Sequence, residues 1–579
     1  MKEFFAGRRA FGFVFLALAG LAFGISGGGR LCLDYCLPAA GGSVQAAEEP
    51  ADLVLTGGVI YTGDDKQPRV EALAVRGERI VAAGKDSEIK AFIGQKTRVV
   101  ELKGRFVMPG FNDAHVHLAN AGQSRLTVIL DGAKSLEEMQ QRIRARLKDF
   151  APGAWITGRG WDHTLWPEKR FPTRHDLDAV SKDHPMIFGR VDGHVAVANS
   201  KALELAGVTR DTPNPPGGEF ERDANGELTG MLKEGAAMGV VRRRIPPMTP
   251  EQRRRGIEIA LAESASLGVT SMQDNSGWDD FQTYAQLKKE GKLTARISEW
   301  LPFGASVERL KEMQQQGGTT DPWLRTAGLK GVVDGAMGGR TAAMLEPYTD
   351  QPSYSGILII EAERLKQMVI ERDKAGFQIN LHAIGDRANR VALDAFAAAR
   401  AANGVRDARH RIEHAQVVAP ADVPRFAQLS VIASMQPSHQ TTDSRWAAER
   451  VGPERVKGAY AWNWLQKTGA KLAFGTDYPV EPVTPFRGLY ACVTREIDGQ
   501  PGTSWQPQEK ISLDDCIRAY TQGSAYAEFA EKDKGKLAPG QFADFIVLTA
   551  DVTKVSPAQI LTTQVLWTYV GGRLVFERK

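Results

Sequence analysis

The sequence predicts an α/β chain built on a (β/α)8 TIM barrel, and three observations carry that reading. Through the middle of the chain, strand-like and helix-like segments alternate, the pattern of a parallel α/β architecture. The strand candidates in that stretch count to eight, the number at which β/α units close on themselves. No glycine-rich phosphate loop follows an early strand, which lowers the competing open, doubly wound sheet.

Taken in order, the chain opens with MKEFFAGRRAFGF, where Lys2, Arg8 and Arg9 precede an unbroken apolar and glycine run from Phe11 to Ile25. That run has the length of a signal-peptide core and is short for a membrane span. Residues 1–46 are therefore expected to be an export signal cleaved near Val44-Gln45-Ala46, delivering the protein to the periplasm. Arg8-Arg9 resembles a twin-arginine signal, although Gly7 precedes the pair and the usual Leu-Lys tail is missing. An uncleaved N-terminal membrane anchor is the alternative, and the export segment is the one expected link to a membrane.

Residues 52–106 read as short alternating strands separated by glycine turns, and the same texture returns over 535–579 in ADFIVLTAD and VLWTYVGGRLVFER. Edge strands need partners, so the two stretches are expected to form one small β-sandwich domain from both chain ends. Between them, 107–534 is assigned to the barrel. The apolar FVMPG of Phe106–Gly110 is read as leading into the first barrel strand. The others fall in VTSMQDNS (269–276), ARISEWLPFG (295–304), LRTAGLKGVVDG (324–335), FQINLHAIGD (377–386), RHRIEHAQVV (409–418), VIASMQPSHQ (431–440) and KLAFGTDYP (471–479). Residues 119–248 hold helices and strands of their own and follow the first strand, as a cap inserted on the catalytic face would. Within it Trp161, Trp166 and His194 either line a pocket from above or form the insertion's own core.

Composition narrows the function. A net charge of +4 over 579 residues, with the basic residues scattered, gives no reason to expect nucleic acid as a partner; a small-molecule substrate is expected instead. Four cysteines make no C-x-x-C pair and no disulfide scaffold, and Cys492 and Cys516 read as small core residues.

The chemistry gathers at strand ends. His115 and His117 in FNDAHVHL are two residues apart on a strand, so their side chains share a face. His382 in INLHAIGD, His414 in RIEHAQ and Asp477 in FGTDYP fall near the ends of strands five, six and eight. Each alone is weak evidence. Four imidazoles and a carboxylate meeting at one barrel mouth are a ligand set for zinc or a similar divalent ion.

At these residues the chain resembles the amidohydrolase superfamily of metal-dependent hydrolases, and more narrowly its amidohydrolase-3 branch, which includes N-substituted formamide deformylases. The resemblance covers nearly all of 52–579 and rests on PGFNDAHVHL, GWDHTLWP, DGHVAVANSKAL, DGAMGGRTAAMLEPY, LHAIGDRAN, RIEHAQ, FGTDYPVEP and GQFADFIVL. It implies one or two divalent ions per chain, zinc by preference, held by His115, His117, His382, His414 and Asp477. It also implies that Lys330 joins them as an N6-carboxylysine bridging two ions; the competing reading is a lysine paired with Asp334. Deaminases of the superfamily usually carry a glutamate three residues after the fifth-strand histidine, where this chain has Gly385. That departure favours hydrolysis of a non-peptide carbon–nitrogen bond in an amide, formamide or cyclic amide. The implied mechanism is attack by water whose pKa a metal lowers from about 16 to about 7, with Asp477 as general acid–base. Trp161, His194, Arg340 and His439 are assigned to substrate binding, His439 as an oxyanion partner or an ordinary surface histidine. Rival readings are an ester or lactone hydrolase on the same site and a non-catalytic, metal-dependent solute-binding protein.

Overall fold

The structure, a computed structural model, describes residues 49–579, and the expected export signal with its arginine pair lies outside the described residues. Eight parallel strands form the central sheet: β1 (Phe111–Val116), β2 (Val269–Asp274), β3 (Arg296–Pro302), β4 (Leu324–Val332), β5 (Ile379–Ala383), β6 (Arg411–His414), β7 (Ile432–Met435) and β8 (Leu472–Phe474). Neighbours in sequence are neighbours in the sheet, and a parallel bridge between Val116 and Tyr478 joins the last strand to the first. This is the TIM barrel the alternation predicts. Outward-facing positions carry the apolar core, such as Met272, Ile297, Leu329, Leu381 and Ile412. The lumen is polar: the Arg411 guanidinium donates to Ser434 Oγ at 2.7 Å and Ala114 O at 2.8 Å.

Phe106–Pro109 does not enter the barrel. It pairs antiparallel with Phe545–Leu548 and parallel with Val59–Tyr61, placing both chain ends in one six-stranded sheet. The break falls at Gly110, where a Cβ would stand 2.2 Å from the Thr270 side chain. Periodicity finds a strand but not its partners, which is why the sequence merges the two. A second sheet holds Leu53–Thr56, Ala72–Arg76, Arg79–Gly84 and Arg98–Glu101, and one apolar cluster joins it to the first through Leu55, Leu73, Val107, Phe545 and Val547.

Between β1 and β2 runs a six-stranded sheet of its own, from Val128–Ile129 to Leu228–Lys233, with two apolar clusters. At the N-terminal end of the barrel lies a cavity of about 260 Å³ lined by Arg296, Ser298, Arg325 and Lys534. Its cations are already paired, Arg296 with Asp544 and both Arg325 and Lys534 with Glu528. In this fold that face serves stability.

Cys492 and Cys516 are not separate core thiols but a disulfide, joining helix Pro485–Thr494 to helix Leu513–Arg518. Both are fully buried. Their partnership follows from helix packing, on which their spacing in the sequence is silent. Among the described residues no helix is long and apolar enough to cross a membrane.

Candidate metal centre

Strand ends set the positions. Asp477 N–H donates to His115 O, and His117 N–H donates to Tyr478 O, both at 2.8 Å. These two bonds lace the end of β1 to the segment after β8 and bring three polar side chains together. His117 Nε2 lies 3.1 Å and His115 Nε2 3.6 Å from Asp477 Oδ1. Lys330, near the end of β4, places Nζ 2.9 Å from His115 Nε2. The His414 ring sits 5.0 Å from that of His115 and 4.4 Å from that of His382. All six residues assigned as ligands from the sequence therefore lie at one barrel mouth.

Each imidazole has one nitrogen held by an acceptor outside the proposed ligand set. His115 Nδ1 lies 2.8 Å from Glu413 Oε2, His117 Nδ1 3.2 Å from Asn275 O, and His414 Nδ1 2.8 Å from Gln436 Oε1. His382 Nε2 lies 3.2 Å from Gly335 O. An acceptor on one ring nitrogen fixes the ring and leaves the other nitrogen's lone pair for an ion.

Charge agrees with this. Burial first, with Lys330 and the neighbouring imidazoles adding to it, holds His115, His382 and His414 well below the usual imidazole range. They are neutral at physiological pH, as ligands must be. Burial also pulls Lys330 down to about 8, although Glu413 and Asp477 push the other way. For Asp477 burial pushes upward, but His117, His439 and Lys330 together outweigh it and keep the carboxyl below its ordinary value. Asp477 Oδ1 is buried and accepts no properly directed hydrogen bond. Neutral imidazoles around an ionised carboxylate with an unused oxygen fit a divalent cation. Two trios offer ligand atoms within 4.8 Å of one another: His115, His117 and Asp477, and His414, His439 and Asp477.

The insertion reaches this centre through His194, whose ring lies 4.8 Å from that of His382. Its Nδ1 is 2.8 Å from Glu234 Oε2. Arg159 ties the same insertion to the segment after Asp477, donating to Pro479 O at 2.7 Å and Val191 O at 2.6 Å. Trp161, assigned above to substrate binding, does not line the site. It is fully buried against Trp166 and Phe171, and its indole N–H donates to Phe188 O at 2.8 Å, so both tryptophans belong to the insertion's own core. Arg340 is engaged by Asp350, with Nη2 2.8 Å from Oδ2, and Arg450 binds the same carboxylate. His439 is buried, its Nε2 3.8 Å from Asp477 Oδ2, and so is not a surface histidine.

Four residues assigned to the site or bonded to it sit in the left-handed region that side chains disfavour: Glu234 (φ 65°), Arg340 (φ 59°), His414 (φ 75°) and Asp477 (φ 58°). Such strain persists where surrounding contacts over-determine it, and it clusters at functional sites.

Glu413 and Glu234 are the functional residues that sequence reasoning misses. Alternation along RIEH puts Arg411 and Glu413 on the lumen face, a signal present in the motif itself. Glu234 has no local signal. It meets His194 because the antiparallel pair Val195↔Lys233 sets the two residues opposite each other one step further on.

A family model described as "Amidohydrolase family" matches residues 98–576. The protein LONG AFTER FAR-RED 3 of Arabidopsis thaliana is 35% identical over 538 residues, covering 91% of this chain and 92% of its own. The N-substituted formamide deformylase of Arthrobacter pascens is 25% identical, covering 91% of this chain and 98% of its own. Among solved structures, an uncharacterized metal-dependent hydrolase from Pyrococcus furiosus is 34% identical with a TM-score of 0.67, covering 87% of this chain and 100% of its own.

Proposed function

The chain belongs to the amidohydrolase family, in its amidohydrolase-3 branch, and on that premise we propose that it is an exported, metal-dependent hydrolase of amides, formamides or cyclic amides. The observation that carries the metal-dependent part is Asp477 Oδ1, a buried carboxylate oxygen beside two imidazole nitrogens with no hydrogen bond of its own. For the bond type, support comes from Gly385. A Cβ there would stand 2.0 Å from Ala343 O, so this backbone leaves no room for the glutamate that deaminases carry. The relative named as a formamide deformylase puts formamides first among substrates to screen.

His115, His117, His382, His414 and Asp477 would hold the metal, zinc by preference, with Lys330 carboxylated on Nζ as a bridging ligand. Addition of carbon dioxide needs an unprotonated amine, and burial that brings Lys330 to about 8 favours it. A bound divalent ion supplies Lewis acidity toward the carbonyl and lowers the pKa of water. Asp477, ionised beside His117, takes a proton from the attacking water and gives it to the nitrogen as the C–N bond breaks and the C–O bond forms. His194 and Arg340 orient the substrate from the mouth. We read 119–248 as the cap that closes over it and the two end sheets as one sandwich domain. Export to the periplasm is supported by the Cys492–Cys516 disulfide, since such bonds persist in oxidising compartments.

Metal analysis of the mature protein, beside intact mass before and after mild acid, tests this. The expected result is about two ions per chain with one acid-labile carbon dioxide adduct, followed by turnover in a screen of formamides, cyclic amides and esters. One ion without an adduct would retire the Lys330 bridge. No metal after reconstitution would sink the hydrolase reading.

A further inference from the structure

The second trio of ligand atoms contains a residue that no assignment above gives to the metal. His439 lies just past the end of β7, in the first turn of helix Pro437–Asp443, and is 8% exposed. Its Nε2 is sealed from solvent and has no hydrogen-bond partner. Leaving a buried nitrogen without a partner forfeits its lost hydration, so its position calls for an occupant. Enclosure argues against a donor waiting for incoming substrate, while an ion held inside the site would meet it directly.

Asp477 gives the geometry a second side. Its Oδ1 faces His117 and His115 at 3.1 and 3.6 Å, whereas its Oδ2 faces His439 at 3.8 Å. The rings of His439 and His414 lie nearly parallel, 11° apart, with centroids separated by 6.0 Å. Ligand atoms about 2.0–2.2 Å from one zinc ion stand roughly 3.4 Å apart. The ligand atoms of His414, His439 and Asp477 lie within 4.8 Å of one another, and His439 Nε2 stands 3.8 Å from Asp477 Oδ2, close to that spacing.

We propose that His439 is a ligand of the second cation position, and that Asp477 spans the two positions with one oxygen toward each. His439 then joins His382 and His414 on the second ion, and Lys330 is not the sole link between the two. This rests on the metal-dependent reading above.

The test loads the full mature chain with cobalt(II) and reads stoichiometry, affinity and absorption, with no substrate required. Wild-type protein should bind about two ions per chain. His439→Ala should weaken the second ion by about 100-fold, while His117→Ala should weaken the first. His439→Cys should bind both and show a thiolate-to-cobalt charge-transfer band, which arises only if residue 439 touches the ion. If His439→Ala does not fold, as circular dichroism would show, the cysteine variant decides alone. Two cobalt ions bound in the cysteine variant without that band, or unchanged affinity in a folded His439→Ala, would overturn the proposal while leaving the metal-dependent reading intact. Wild-type protein that binds no cobalt would overturn both.

Discussion

Glu234 Oε2 lies 2.8 Å from His194 Nδ1, and the Glu234 N–H donates to His194 O at 2.7 Å, so the two residues clamp each other at side chain and backbone. Burial alone would lower the imidazole pKa, but the Glu234 carboxylate, helped by Asp192 and Asp334, outweighs it and brings His194 from 6.5 up to about 9. A raised folded-state pKa stabilises fully below the unfolded value and is lost as pH rises through the folded one. Stability, followed by urea midpoint at constant metal load, should therefore fall between pH 6.5 and about 9, by at most about 3 kcal/mol. Glu234→Gln should flatten that slope. An equally steep fall in the variant would mean that another group titrates.

Glu413 should act on the metal without touching it. Its Oε2 engages His115 Nδ1, and its Oε1 lies 2.8 Å from Arg411 Nε, with both residues fully buried. Glu413→Gln keeps the shape and removes the charge, and should weaken metal binding by roughly 10- to 100-fold in chelator competition. Glu413→Ala also strands the Arg411 cation and should cost about 3–5 kcal/mol. Unchanged metal affinity in the glutamine variant would show that Arg411 and the backbone alone orient His115.

These two carboxylates mark where sequence reading stopped. The barrel was legible because strand and helix periods alternate, and His115 with His117 because two residues along a strand return to one face. His414 was legible as a motif, but strict alternation would have turned it away from Glu413's neighbourhood of the mouth; its φ of 75° redirects it, and no residue type announces that. Phe106–Pro109 looked like barrel strand because pairing partners more than four hundred residues away leave no local trace. The tryptophans of the insertion were ambiguous for a similar reason, since an indole in a pocket wall and one in a small core share the same local sequence.

Gly385 supplies a stability prediction. Its N–H donates to Asp334 Oδ2 at 2.8 Å, and a Cβ would press on the Ala343 carbonyl. Backbone gives way less readily than a flexible side-chain tip, so Gly385→Ala should destabilise by about 1–3 kcal/mol in urea unfolding. A neutral result would mean that the loop after β4 relaxes freely, and the argument from space against a deaminase glutamate would fall with it.

The Cys492–Cys516 bond closes a separation of 24 residues. In the chain-entropy account a loop of that length stabilises by about 3 kcal/mol. Protein purified from an oxidising compartment should gain the mass of two hydrogens on reduction under denaturing conditions, and Cys492→Ser should lower the unfolding midpoint accordingly. Free thiols in protein from that compartment would contradict both.

Asp477→Asn tests proton transfer, because excess metal can make up for a weakened ligand but not for a missing base. The amide keeps the size of the carboxylate and one ligating oxygen, but it has no basic oxygen to accept a proton from water. Turnover of any substrate found by screening should fall by about 10²–10⁴, with the folded structure retained. His382→Ala should behave differently, lowering metal content first and activity as a consequence, so that added metal restores part of its rate. Excess metal should not rescue Asp477→Asn, because what that variant lacks is the base. Rescue by metal would reduce Asp477 to a ligand, and the proton would need another carrier among the groups at the mouth, such as His194 of the insertion, whose ring lies 4.8 Å from that of His382.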